Sequence, residues 1–173
     1  MTKVSQRGGA DGLREMQHLR AVATVTSEKM NENFPRGTAY HEAAHAVLAW
    51  SLHLPVRAVH VSADDASGGA EIGNADKLSL CEHIALCSAG IVAEEILGFA
   101  NHERAGFNDR LKILELLKAV VIENGNGAEL RTEGYNYART QLITHKEKVV
   151  ALAERLIEIG RIDADEFLQL MGK

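Results

Sequence analysis

The stretch TAYHEAAHAVLAW, residues 38–50, organises the reading of the whole chain. Thr38 is a suitable N-cap, and Tyr40, Ala43, Ala44, Val47 and Leu48 recur at helical spacing. The pattern predicts a helix from Thr38 to about His53, stopped by Pro55. On that helix His41 and His45 stand at i and i+4, one above the other on the same face. Two imidazole nitrogens so placed can reach one zinc ion at about 2.0–2.1 Å. Glu42 projects beside them, where it can take a proton from a water molecule that zinc activates. Random placement of the chain's 8 histidines among its glutamates would produce HExxH only about 0.04 times. A helical wheel sets both histidines roughly 100–140° from Tyr40, at the flank of the apolar stripe, as expected of a cleft wall.

Working outward, VRAVHVS (residues 56–62) favours strand, ADDASGG (63–69) favours a turn, and AEIG (70–73) is a second extended piece. The three make a small hairpin with an exposed edge. A second helix is predicted over Ala75 to Leu97, closed by Gly98 and apolar all round, hence the buried central helix. Asn108-Asp109 opens a third helix that ends near Gly125. A fourth, long helix is predicted from Glu129 to Ile159, stopped by Gly160, and Asp163 with Glu166 forms a capping box for a last short one. The stripe Leu142, Val149, Leu152 and Leu156 reads as core or an oligomer face. Residues 1–35 read as a polar arm or loosely attached helix, with a weak helical pattern at Leu13, Met16, Leu19 and Val22. The domain proper is 36–173, mainly α with a small β-hairpin or sheet.

Composition narrows the classes. The 173 residues are 46% hydrophobic and 25% charged, enough for one domain with a real core. A net charge of −5 argues against a nucleic-acid binder held by phosphate contacts. Cys81 and Cys87 are too few for a disulfide framework and read as small core residues in a reducing compartment. The N-terminus lacks the apolar stretch of a signal peptide, and uncharged runs such as His83 to Ala93 are too short for a membrane span. A cytoplasmic protein with no membrane segment is expected.

A catalytic zinc needs a third protein ligand and an open fourth position. A third histidine six residues after His45 would mark one protease class, but Ser51 stands there. Glu94 and Glu95 lie on the apolar second helix, where carboxylates are rarely buried unpaired. Either could bind the ion or orient a zinc-bound imidazole from behind. Asp109 is the third candidate, though an acid at a helix start is favoured by the dipole in any case. Spacing alone leaves the three open. His60 and His83 read as hydrogen-bonded structural residues. Tyr135 and Tyr137 are of a type that can donate to an oxyanion.

The sequence resembles a known family at four places in order. TAYHEAAHAVLAW is similar to the start of the peptidase domain of FtsH-type ATP-dependent zinc proteases, whose motif is usually HEAGH. SAGIVAEEILG (88–98) resembles that family's GGRxAEExxxG helix, and AGFNDRLKILELL (105–117) its GASNDLxxAT segment. The tail from Ala138 to Met171 is similar to its closing helices. The resemblance spans roughly residues 36–171 and implies a mainly helical zinc peptidase domain with a small sheet beside the active site. It implies His41, His45 and Asp109 as ligands of one Zn2+ per chain, Glu42 as base, and Glu94 as the carboxylate behind a ligand. It also implies a substrate-side edge strand within Ser67 to Gly73, with Gly69, Ala70, Glu71 and Ile72 against substrate. Ala44 departs from the family's Gly, and Phe107 and Arg110 replace small and aliphatic neighbours of Asp109.

The expected function is zinc-dependent endopeptidase activity. Substrate would lie extended along the hairpin edge, with Gly68 and Gly69 permitting close backbone approach. No GxxxxGK[ST] motif occurs, so substrates should be unfolded or extended polypeptide, or segments delivered by a separate unfoldase. Two rival readings keep the zinc. One is a single-domain regulatory peptidase that cuts one specific protein. The other is a catalytically silent zinc-binding or oligomerisation module, which would have no need of Glu42. The FtsH-type family forms rings, so the resemblance allows a homo-oligomer, while the lack of an ATPase ring to hold it favours a smaller oligomer or a monomer.

Overall fold

A computed structural model of the chain describes residues 36–62, 67–99, 103–123 and 126–172. The expected N-terminal arm, residues 1–35, lies outside the described residues. In chain order the elements are α1 (36–51), β1 (Val56–Val61), β2 (Gly68–Ile72), α2 (Leu80–Leu97) and α3 (Glu103–Glu123). They continue with α4 (Gly127–Thr144), α5 (Lys146–Ile159), β3 (Arg161–Asp163) and α6 (Ala164–Leu170). The fold is mainly helical with a small antiparallel sheet, as the sequence predicts.

Helix α1 is enclosed more completely than its stripe suggests. Every residue from 37 to 49 is buried. The alanines at 39, 43, 44, 46 and 49 are fully buried, so neighbours approach α1 from all sides. It ends where His53 turns to φ 60 and the Leu54 amide donates to the Ala49 carbonyl at 2.9 Å. The expectation that α2 is the buried central helix is thereby corrected, since α1 takes that place. Among its described residues α2 also starts later than predicted, at Leu80. Ser79 caps it, bonded to the Glu82 amide while Glu82 bonds back to the Ser79 amide. Gly98 closes it at φ 73, as expected.

The hairpin is there, and a third strand joins it. The order is β2-β1-β3, all antiparallel, with β1 central: Val59 faces Ala70 on one side and Ile162 on the other. Strand β3 is three residues between Gly160 and the α6 cap Asp163, too short to leave a periodic pattern. Asp163 accepts from the Asp165 and Glu166 amides, as predicted. Glu166 does not complete the box; its carboxylate accepts from Arg155 at 2.7 Å instead.

The single long helix predicted from Glu129 to Ile159 is two. The chain breaks at His145 (φ −108, ψ 21), whose ring meets the edge of Trp50 on α1 with centroids 5.3 Å apart. Beyond the break Val149, Leu152 and Leu156 enter the core together with Leu142 of α4, which settles that stripe as core. Helices α2 and α4 pack closely at Gly134, where an added Cβ would lie 2.6 Å from Cγ2 of Ile84 and 3.0 Å from the Cys81 carbonyl. Gly134→Ala should gain helix propensity worth about 1 kcal/mol and lose about 1–3 kcal/mol to overpacking. Net destabilisation is expected, read as a lower urea midpoint with an unchanged m value.

Candidate metal centre

Two helices supply the donors and a third holds them in place. His41 and His45 project from α1 toward α2, and each is fixed through its Nδ1. His45 Nδ1 donates to the Leu86 carbonyl at 2.9 Å, and His41 Nδ1 lies 3.3 Å from a carboxylate oxygen of Glu94. Leu86, Gly90 and Glu94 are spaced i, i+4, i+8, so one ridge of α2 runs antiparallel along the His41–His45 face. Gly90 sits in the middle of that ridge. A Cβ there would fall 2.2–2.3 Å from three atoms of the His41 ring.

With both Nδ1 atoms engaged as donors, each Nε2 of a neutral ring would present its lone pair toward the other side. There they meet Asp109. Its Oδ2 lies 2.9 Å from His41 Nε2 and 3.1 Å from His45 Nε2, and the two Nε2 atoms are 3.2 Å apart. All three residues are buried. Three electron-pair donors that converge in the interior are relieved by a proton or by a metal ion among them. An ion about 2.0–2.2 Å from each would require tetrahedral edges of roughly 3.3–3.5 Å, close to the distances found. His41, His45 and Asp109 could therefore hold a metal ion.

The electrostatics agree in direction. Burial alone would lower the pKa of His41, but hydrogen bonds to Asp109 and Glu94 and the nearby Glu42 charge raise it to about 9. Burial opposes ionisation of Asp109, and the hydrogen bonds from His41 and His45 outweigh it and hold the carboxyl well below the usual range. Uptake of a metal ion at neutral pH would displace the proton that His41 otherwise keeps.

Asp109 does not open its helix. Helix α3 begins at Glu103, and Asp109 lies in its second turn, on the buried stripe with Ile113 and Leu117. Those two pack on Ile84 of α2, which presses Asp109 toward the histidines. The helix-start reading of Asp109 is thus corrected: an N-terminal acid would face solvent, and this one is 5% exposed. An acid four residues before Ile113 on an apolar face is a signal the sequence does carry.

The cleft-wall placement of the histidines is corrected as well. His41 is 2% exposed and His45 9%, because α2 and α3 close over that face. Of the two acids on α2, Glu94 stands behind His41 and its side chain is 29% exposed. Glu95 points elsewhere, 3.6 Å from Arg139 of α4 and bonded to Tyr135. Tyr135, with its pKa raised to about 12 by burial and by Glu95, is thereby tied away from the cluster. Tyr137 lies beside Cys81 and Glu82. His83 bonds the Ser79 carbonyl, as expected. His60 does not behave as expected: its Nδ1 is buried without a hydrogen-bond partner among the described residues, and its ring packs over Gly69. Cys81 and Cys87 are half-buried on α2, and burial raises both thiols.

Glu42 is buried at 9% exposure, and its Cγ meets β2 at Gly68. The sheet therefore adjoins the cluster through its edge strand. Gly69, Ala70, Glu71 and Ile72 all lie on that strand. The Ser62–Ser67 bond and the register direct the backbone groups of Gly69 and Glu71 toward β1. Those of Gly68, Ala70 and Ile72 face outward, where no strand pairs among the described residues. The contributions of the Leu86 carbonyl and Gly90 go beyond the sequence reading. A backbone carbonyl leaves no trace in residue type, whereas Gly90, mid-helix between two predicted site elements, is a trace of a kind.

Gly90→Ala is the sharpest test of this packing. The methyl group would displace the His41 ring by an ångström or more, and metal affinity should fall about 100-fold despite better helix propensity, read by competition with a chromophoric chelator. No protein-family model matches this chain, and no curated protein matches it.

Proposed function

We propose that this chain is a zinc-dependent endopeptidase built like the peptidase domain of the FtsH-type proteases it resembles. The observation that carries the reading is the convergence of His41 Nε2, His45 Nε2 and Asp109 Oδ2, with Glu42 alongside on the same helix. Two imidazoles and one carboxylate at tetrahedral spacing suit zinc and leave a fourth position for substrate or water. When bound, zinc supplies a Lewis acid that acidifies water and polarises a peptide carbonyl. Glu42 then accepts the proton of the attacking water and delivers it to the leaving amine. Glu94 and the Leu86 carbonyl hold the imidazole rings in the tautomer that presents Nε2.

The outer edge of β2 supports the rest. An extended peptide can pair with the outward groups of Ala70 and Ile72, which reads main chain and tolerates varied side chains. Unfolded or extended polypeptide is therefore the proposed substrate class. None of the described helices is long and apolar enough to cross a membrane, which is compatible with a substrate met in the cytoplasm.

The deciding experiment pairs metal analysis with hydrolysis. Purified protein should carry one zinc per chain and cut unfolded casein. A chelator should stop the reaction, and added zinc should restore it. Protein that binds no zinc, or binds it and cuts nothing, would overturn the proposal. Cutting confined to one protein would replace broad turnover by a regulatory role.

A further inference from the structure

Gly68 opens β2 against the side chain of Glu42. A Cβ built on it would lie 2.8 Å from Glu42 Cγ, 2.9 Å from the His60 carbonyl oxygen and 3.0 Å from Thr38 Cγ2. None of these can step aside cheaply. The carbonyl belongs to the central strand, Thr38 is 1% exposed at the start of α1, and Cγ is the middle of a buried side chain. Gly68 is not among the glycines with positive φ, so space, not backbone freedom, is what it supplies. Its neighbour Gly69 differs: an added Cβ there meets the His60 ring, on the opposite face of the strand. The approach that Gly68 permits is by Glu42 from inside the protein, where the sequence reading expects substrate from outside.

We propose that Gly68 is a positioning residue, whose missing side chain forms the slot that wedges Glu42 and sets where its carboxylate stands. The proposal rests on the reading of Glu42 as the base, but the slot itself can be tested without catalysis. An alanine at 68 would drive Glu42 Cγ from 2.8 Å toward ordinary contact, which begins at 3.4 Å. Displacement of a reacting group on that scale costs about 10–100-fold in rate.

The experiment compares wild type, Gly68→Ala, Glu42→Ala and the double variant, all zinc-loaded. Thermal unfolding comes first. Gly68→Ala should lower the melting temperature of the wild type by about 3–8 °C, and by less once Glu42→Ala has removed the nearest of the three contacts. Equal losses in both backgrounds would overturn the proposal. If Gly68→Ala is insoluble, a soluble double variant supports it and an equally insoluble one overturns it. In hydrolysis, Gly68→Ala should keep its zinc and its KM while kcat falls about 10–100-fold, with Gly69→Ala losing less. Unchanged kcat, or a change in KM alone, would overturn the positioning role. A wild type that binds zinc but cuts nothing would sink the peptidase reading and leave the unfolding comparison to decide the slot.

Discussion

Asp109→Ala should abolish metal binding at the proposed centre. Two of the three donors come from one helix, four residues apart, and only Asp109 reaches them from a second helix. Removing it leaves two neutral imidazoles to hold a dication in a buried site, with neither the carboxylate's charge nor its bond. Affinity should drop more than about 100-fold, beyond the 10–100-fold typical when a group behind a ligand is lost. Glu94→Ala supplies that comparison, because Glu94 touches His41 only at Nδ1. Its loss frees the ring to rotate and change tautomer but leaves every donor in place, so a milder loss is expected. Zinc content after dialysis against a graded series of chelators ranks the two variants. The reverse ranking, with Glu94→Ala metal-free and Asp109→Ala loaded, would move the third ligand to Glu94.

In the proposed peptidase, Glu42→Gln should separate chemistry from binding. The amide matches the carboxylate in size, so the packing at Gly68 survives, and no donor to the metal changes. What disappears is the ability to accept a proton at neutral pH. A positioned general base contributes about 10²–10⁴-fold, and a loss of that order in kcat is expected with one zinc still bound per chain. Near-wild-type turnover would remove Glu42 from the mechanism. Loss of zinc in this variant would mean that Glu42 serves the metal and not the proton.

The helices that carry the donors were legible in the sequence because their signals are local. The Tyr40–Leu48 stripe marks α1 and the HExxH spacing is a property of one helix, but Thr38, expected as the N-cap, lies inside a helix that already runs at residue 36. What escaped depends on neighbours. Ala43 and Ala44 belong to the stripe, but nothing marks Ala39, Ala46 and Ala49, which lie off it and are buried as completely. Nothing at Thr144 or His145 resembles a breaker, and the break sets the His145 ring against Trp50, a contact that residue type does not announce. Strand β3 is three residues whose pairing with β1 is entirely tertiary. The capping box at Ser79 and Glu82 was legible in principle, since its spacing is written in the residues themselves. For Asp109, residue spacing yields a candidate among three. The buried stripe of α3 would have favoured it, had the helix been started a turn and a half earlier.

The two-helix origin of the donors also bears on how the chain holds together. Asp109 and His41 are 68 residues apart, and the link between α1 and α3 at this point is a hydrogen bond whose proton a metal ion would replace. A bound ion is therefore a removable cross-link that closes a long loop, and it stabilises the folded chain in proportion to the logarithm of its free concentration over its dissociation constant. If the ion binds as proposed, resistance to unfolding tracks metal supply, and a chain starved of it would lose durability together with the proposed chemistry.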